Sequence, residues 1–343
     1  MTHEFITLIK GYKKAKKEGL KTVLATVVAC EGSSYRRPGV RMLIDENGNL
    51  TGAVSGGCVE KEVVRQATPV FNTGKPVIMV YDGRYRLGCE GIIYILIEAF
   101  NPSKKFLKAF ALSVEKRNTI KAKVYFTLDN TSENKGFTIF EFNPDYAEKV
   151  CSACTGLSLE SHQLFSQNFS PVTRLVIIGA EHDAVKLCAQ ASLMGWEVWM
   201  VASETDPRSI ANFPGASKLL NADATSLSVE GFGENTAVIL MTHSFVRDLQ
   251  YLHSLKDASP FYLGLLGPSA RREKLLNTYL EHYPDCNTAF FDHIYGPAGL
   301  NLGTETPQEI AVSIIAEILS VMRVTKPFHL KDKQGKIHSN IKW

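Results

Sequence analysis

Two glycine-rich stretches in the N-terminal half combine side chains that hold anions with side chains that bind soft metals or sulfur. Glu31–Glu60 contains Gly32-Ser33-Ser34-Tyr35-Arg36-Arg37-Pro38-Gly39, then Arg41, then Ser55-Gly56-Gly57-Cys58, and the second stretch is Leu87-Gly88-Cys89-Glu90-Gly91. Glycine lets backbone N–H groups approach an anion closely, and arginine pairs with phosphate bidentately. Cysteine offers soft sulfur. Cys58 follows two glycines at the start of a helix-like segment, Cys58–Ala67, where free N–H groups and the helix dipole favour thiolate. Cys89 sits between Gly88 and Gly91 with little side-chain shielding. Free cysteines are often small buried hydrophobes, but two of them, each inside a glycine turn, favour a functional pair. The chemistry indicated is capture of a phosphorylated, sulfur-loving ligand.

The second half carries a damaged version of a more familiar motif. Gly179-Ala180-Glu181-His182-Asp183-Ala184 matches the first and third positions of a dinucleotide fingerprint and places Glu181 at the second. That position needs glycine so that the backbone can reach the pyrophosphate, and a carboxylate has the wrong sign for a diphosphate. The next strand ends in Ser203 rather than an acidic residue for the ribose, with Glu204 after it. These features predict a Rossmann-like fold and argue against ordinary NAD(P) binding. Thr242 and His243 follow a strand of the same sheet, where ligand crevices form; His243 reads equally as a base, a ligand contact or a structural residue. Gly267-Pro268-Ser269-Ala270-Arg271-Arg272 fits an anion-binding helix start, or a plain cap with surface arginines. Cys151-Ser152-Ala153-Cys154 is a CxxC without the second pair that a zinc site needs, and Asp292-His293 reads as structure.

These residues need rigid elements beneath them. Thr22–Ala29 predicts a strand buried on both faces, and Asp45-Glu46-Asn47-Gly48 predicts a hairpin between Arg41–Ile44 and Leu50–Val54. Val77–Tyr81 and Ile92–Ile97 read as further strands, followed by a helix over Ser103–Lys116 and a strand over Ile120–Leu128. Asp129–Ser170 turns polar and interrupted. From Arg174 strands at Leu175–Ile178, Glu197–Val201, Ala237–Leu240 and Phe261–Leu266 alternate with helices such as Asp183–Met194, which predicts a doubly wound parallel sheet. Thr306, Pro307 and Glu309 form a helix start with a capping box, and Ile310, Ile314, Ile318 and Met322 give that helix a buried stripe. The fold class expected is α/β, with an N-terminal domain over 1–165, a Rossmann-like domain over 171–325 and a basic tail over 326–343. A formal charge of +3 is too small to indicate nucleic acid or a membrane surface as partner. The lysines between Lys10 and Lys17 read as the solvated face of an amphipathic helix. The N-terminal residues do not resemble a signal peptide, and no apolar run is long enough to cross a bilayer. Seven cysteines spread along the chain do not form a disulfide framework, so a cytoplasmic protein is expected.

The chain resembles the XdhC/CoxI family of maturation factors for molybdenum-containing dehydrogenases. The matching stretches are Gly32–Leu43, Ser55–Glu60, Leu87–Gly91, Met241–His243, Tyr262–Arg272 and Gly296–Ser313. The resemblance implies a chaperone, rather than an enzyme with its own turnover, whose cargo is molybdenum cofactor, a pterin with a phosphate and a dithiolene-held metal. It implies protection of the cofactor during sulfuration by a cysteine desulfurase, delivery to a xanthine dehydrogenase-type molybdoenzyme, and a homodimer. Cys58 and Cys89 would contact the molybdenum. Arg36, Arg37 and Arg41 would hold the phosphate or pterin with Ser55, Gly56 and Gly57, while Thr242, His243, Gly267 and Arg271 would add contacts from the second domain. Family members usually have glycine where this chain has Glu181, and commonly glycine or asparagine where it has Glu90. The rival readings are an NAD(P)-dependent oxidoreductase built on the second domain, and an interaction scaffold that binds no cofactor.

Overall fold

Ten nearly uninterrupted apolar and β-branched residues form the first strand, β1 (Thr22–Glu31), and its two faces enter different cores. The structure is a computed structural model that describes residues 2–32, 37–83, 91–129, 132, 135–150, 162–286, 291 and 294–335. The chain divides into two units, Met1–Pro171 and Val172–Ile341.

In the first unit, helix α1 (Thr2–Lys17) buries Phe5, Leu8, Ile9 and Tyr12 and turns its lysines outward. β1 is followed by β2 (Arg41–Asp45), β3 (Leu50–Gly52), α2 (Cys58–Thr73), β4 (Val77–Asp82) and β5 (Ile92–Ala99). The five strands form an antiparallel sheet in the order β3-β2-β1-β5-β4. One face, with Val23, Ala25, Val27, Met42 and Ile44, packs on Val59, Val63, Ala67 and Val70 of α2. The other face, with Leu24 and Leu43, meets α1, helix α3 (Lys104–Glu115) and a second sheet. Burial on both faces explains why β1 reads as a continuous apolar run rather than an alternating one.

The second sheet contains β6 (Ile120–Phe126), β7 (Gly136–Asn143), β8 (Tyr146–Lys149) and β9 (Gln163–Phe169), antiparallel in the order β8-β7-β6-β9. Three of these strands fall in the polar, interrupted stretch for which the sequence predicts no elements. Phe5 of α1 lies 5.0 Å from Phe140 and 5.1 Å from Phe169, ring centre to ring centre. The aromatic residues of β7 and β9 thus supply the core of this face, and buried aromatics are among the largest single contributors to packing.

The second unit is doubly wound. Its strands β10 (Arg174–Ile178), β11 (Glu197–Ala202), β12 (Ala216–Asn221), β13 (Thr236–Leu240), β14 (Tyr262–Leu265) and β15 (Ile294–Tyr295) are all parallel, in the order β12-β11-β10-β13-β14-β15. One face packs on helices α4 (His182–Leu193) and α7 (Pro307–Met322). The other packs on α5 (Phe245–Ser254) and α6 (Ser269–His282). Strand order reverses between β10 and β13, and that is where folds of this type open a ligand crevice. Thr306 caps α7, with Pro307 first in the helix and Glu309 completing the box as expected. The fully buried positions are Ala311, Ile314 and Ile318, while Ile310 is only partly covered. No described helix is long and apolar enough to cross a membrane.

Candidate functional site

Strand direction decides which of the N-terminal motifs can meet. β1 pairs antiparallel with both β2 and β5, with Thr26 opposite Arg41 and Glu31 opposite Ile92. β3 in turn pairs antiparallel with β2, and β4 with β5. One end of the sheet therefore collects the C-terminal ends of β1, β3 and β4 and the N-terminal ends of β2 and β5. From that end depart Gly32, leading to the arginine segment; Ala53, leading to Ser55–Cys58; and Gly83, leading to the segment that contains Cys89. Gly83 N–H donates to Gly91 O at 2.9 Å, closing the base of that last segment. Motifs separated by up to about sixty residues in the sequence thus leave from a single sheet end. Arg36, Cys89 and Glu90 lie outside the described residues, as do Cys151, Cys154, Asp292 and His293, and of Cys58 only the backbone, at the start of α2, is described.

The turn before the helix start at Cys58 is closed by a side chain from within the helix. Glu60 folds back over it: its carboxylate accepts from Ser55 N at 2.7 Å, Ser55 Oγ at 2.6 Å and Gly57 N at 2.8 Å. Burial pushes the Glu60 carboxyl upward, but the hydrogen bonds from Ser55 and Gly57 outweigh it and hold the group below the usual carboxylate range. Ser55 is consequently a supporting residue of this turn. Gly57 needs its glycine for a backbone φ of 119°. Gly56 has no such need: its φ is outside the left-handed region, and a Cβ there would meet nothing within 4 Å among the described residues. A glycine that the fold does not require, exposed beside the helix start, leaves room for something to approach the backbone.

Arg41 is not at the surface. It lies inside the unit, its guanidinium 5.1 Å from the ring centre of Phe169, and Nη1 donates to Gly39 O at 2.9 Å and to Gln167 Oε1. Burial pulls its pKa down to about 10, partly opposed by Glu98, so it stays charged at neutral pH. Arg37 is half-buried in the segment that leads into Gly39, whose φ is 96°.

In the second unit the crevice retains two of the three fingerprint roles. Gly179, at φ 138°, passes so close to the loop after β13 that a Cβ would lie 2.4 Å from Met241 O, and Ala184 is fully buried against the sheet. The middle role is lost. Arg208 donates to Ala180 O and to Glu181 Oε1 (3.3 Å), and grips Asp206 through Nε–Oδ1 at 2.9 Å and Nη2–Oδ2 at 2.6 Å. The Arg208 guanidinium holds the Asp206 carboxyl below its usual range. A diphosphate at this turn would face the Glu181 carboxylate in place of the glycine backbone it needs. On the neighbouring strand, Ser203 Oγ donates to Asp223 Oδ1 at 3.0 Å, while Glu204 accepts from Ser226 Oγ at 2.5 Å. Millimolar NAD(H) or NADP(H) is therefore expected to leave the melting temperature unchanged in a thermal-shift titration; a saturable rise would contradict this reading of the crevice.

Around the ends of β13 and β14 a buried carboxylate organises the predicted residues. Thr242 donates through Oγ1 to Asp248 Oδ1 at 2.6 Å, and Arg271 Nη2 donates to Asp248 Oδ2 at 2.7 Å. Arg271 runs over Gly267, where a Cβ would lie 2.6 Å from its Cδ. Thr242 Oγ1 and Arg271 Nη2 thus meet on Asp248, Thr242 Oγ1 also reaches Ser244 O at 3.1 Å, and Gly267 admits the arginine stem. His243 behaves differently. It is half exposed, adopts a left-handed φ of 57°, and sets Nε2 3.4 Å from Asp183 Oδ2 on the first turn of α4. A non-glycine residue there marks a constrained position. Glu60, Asp183, Arg208, Gln167 and Asp248 are not among the residues that the sequence singles out for a role. Glu60 had a local signal, an acidic residue three positions after Gly57, whereas each of the others has at least one partner distant in sequence.

An antiparallel domain with motif-bearing segments at one sheet end, followed by a Rossmann-type domain whose middle fingerprint position carries Glu181 bonded to Arg208, defines a two-domain class of protein. The XdhC and CoxI family model matches residues 15–82, and the XdhC Rossmann domain model matches residues 175–318. The chain is 30% identical to a probable xanthine dehydrogenase component of Bacillus subtilis, over 93% of this chain and 98% of that protein. It is 26% identical to the molybdenum cofactor insertion chaperone PaoD of Escherichia coli, over 94% of this chain and 90% of that one. A crystal structure described as a xanthine dehydrogenase from Bacillus halodurans shares the fold, with a TM-score of 0.77 at 23% identity, over 96% of this chain and 98% of that one. The chain belongs to the XdhC/CoxI family.

Proposed function

We propose that this protein is a maturation factor that binds molybdenum cofactor on the sheet end of its N-terminal unit and passes it to a xanthine dehydrogenase-type molybdoenzyme. The observation that carries the reading is the departure of the Gly32, Ser55–Cys58 and Gly83–Gly91 segments from one sheet end, with an exposed glycine at position 56 that the fold does not require. The relationship to a molybdenum cofactor insertion chaperone supports the choice of cargo. Arg36 and Arg37 hold the phosphate, Gly56 and Gly57 let the pterin approach the backbone, and Cys58 and Cys89 offer thiolate to molybdenum or to a sulfur atom in transit from a cysteine desulfurase. Arg41 supports the arginine segment from inside and leaves phosphate contact to its neighbours.

The test is purification from cells that make the cofactor, followed by assays of bound molybdenum and of pterin fluorescence after oxidation. Wild type is expected to carry both, and Cys58→Ala/Cys89→Ala to carry about tenfold less. Equally low occupancy in the two proteins defeats the proposal.

A further inference from the structure

The interior of the first unit contains a cluster of hydrogen-bond donors with no acceptor among the described residues. Thr26 and Arg41 face each other across the β1–β2 ladder, so their side chains leave the same side of the sheet. That side packs on the second sheet, where the Arg41 guanidinium lies 5.1 Å from the Phe169 ring centre and 5.9 Å from that of Phe140. Thr26 is 0% exposed and Arg41 is 7% exposed, so bulk water does not reach them. A guanidinium has five N–H groups. The two on Nη1 are used by Gly39 O and Gln167 Oε1. Arg41 Nε, Arg41 Nη2 and Thr26 Oγ1 have no partner among the described residues. Glu98 attracts Arg41 through space, but its carboxylate accepts from Thr138 N, at 3.0 Å, and from Thr138 Oγ1.

Buried donors without acceptors are rare in folded proteins, because each forfeits its hydration without recovering a bond. A buried charge in that condition is costlier still. Unpaired donors on a cross-strand pair, two of them belonging to one cation, are the surroundings in which an internal acceptor is retained. We infer that one small acceptor, of the size of a water molecule or a halide ion, is held between Arg41 and Thr26 inside the two-sheet core. It accepts from Nε–H and Nη2–H and bonds the Thr26 hydroxyl. In doing so it fixes the guanidinium whose Nη1 holds Gly39, the residue that ends the arginine segment. This inference concerns the fold of the unit and stands apart from the identity of the cargo.

Substitution at Thr26 gives opposite signs for a filled and an empty site. With the acceptor present, Thr26→Val breaks one of its bonds and lowers Tm by about 2–4 °C, while Thr26→Ser keeps the hydroxyl and is affected less. With the site empty, valine removes an unbonded buried hydroxyl and raises Tm, which overturns the inference. Diffraction from crystals of the full chain grown in sodium bromide identifies the acceptor. An anomalous peak within hydrogen-bond distance of Arg41 and Thr26 means a halide, and ordinary density there without anomalous signal means water. Density for neither at that place also overturns the inference.

Discussion

Asp248→Ala is expected to destabilise the C-terminal unit by about 3 kcal/mol, lowering its melting transition by roughly 6–12 °C. Asp248 is only 3% exposed and joins three elements: its own helix α5, Thr242 after β13 and Arg271 on α6. Removing the carboxylate leaves the Thr242 hydroxyl without its 2.6 Å acceptor and a partly buried guanidinium without its counter-charge. The cost comes chiefly from those stranded partners rather than from the pair's own net worth. Asp248→Asn, which keeps an acceptor for Thr242 but removes the charge, should fall between the alanine variant and wild type. Differential scanning calorimetry checks the order. If alanine and asparagine both melt like wild type, Asp248 does not organise this end of the sheet.

Gly56→Leu should have the opposite profile, with stability within about 0.5 kcal/mol of wild type and bound molybdenum cofactor reduced about tenfold or more. The Cβ position at Gly56 is open and its backbone is outside the left-handed region, so the fold tolerates a side chain. A ligand lying against that backbone would not. Gly57 cannot serve as the probe, because its φ of 119° strains any other residue and mixes folding with binding. Molybdenum content and pterin fluorescence measured beside Tm separate the effects. Full occupancy in the leucine variant would remove Gly56 from the binding surface.

Much of the scaffold could be read from the sequence because it depends on local pattern. β1 is a long β-branched run since both its faces are buried, and α7 carries its own Thr306–Glu309 cap. The alternation of strand and helix after Arg174 specified the parallel sheet, and Gly179 and Ala184 retained the close-packing roles that their spacing suggested. The strands β7, β8 and β9 are hidden because polar residues and turns obscure the Phe137, Phe140 and Phe142 pattern, and those of Phe140 and Phe142 become core only when α1 and α3 pack against them. β12 and β15 are hidden for a related reason: an edge strand of mixed polarity and a two-residue strand carry little periodic signal.

The candidate site was legible by residue type and less so by role. Sequence identifies arginines suited to phosphate but not their burial, which depends on a partner strand more than a hundred residues away, as Arg41 and Gln167 illustrate. In the same way Arg271 matched an anion-binding helix start, yet its Nη2 donates to the buried Asp248, a partner the motif does not reveal. Ser55 matched a backbone cradle, yet it closes the turn onto Glu60. Strand direction, which no motif encodes, is what brings the N-terminal segments to one sheet end.

X-ray absorption at the molybdenum edge of the cofactor-loaded protein tests this account most directly, because it counts the metal's sulfur neighbours. The dithiolene contributes sulfur in every sample, so the informative quantity is the difference between wild type and Cys58→Ser/Cys89→Ser. A higher sulfur count in wild type is predicted, with oxygen or nitrogen replacing the lost neighbours in the variant; identical sulfur counts in the two would contradict thiolate ligation at this sheet end.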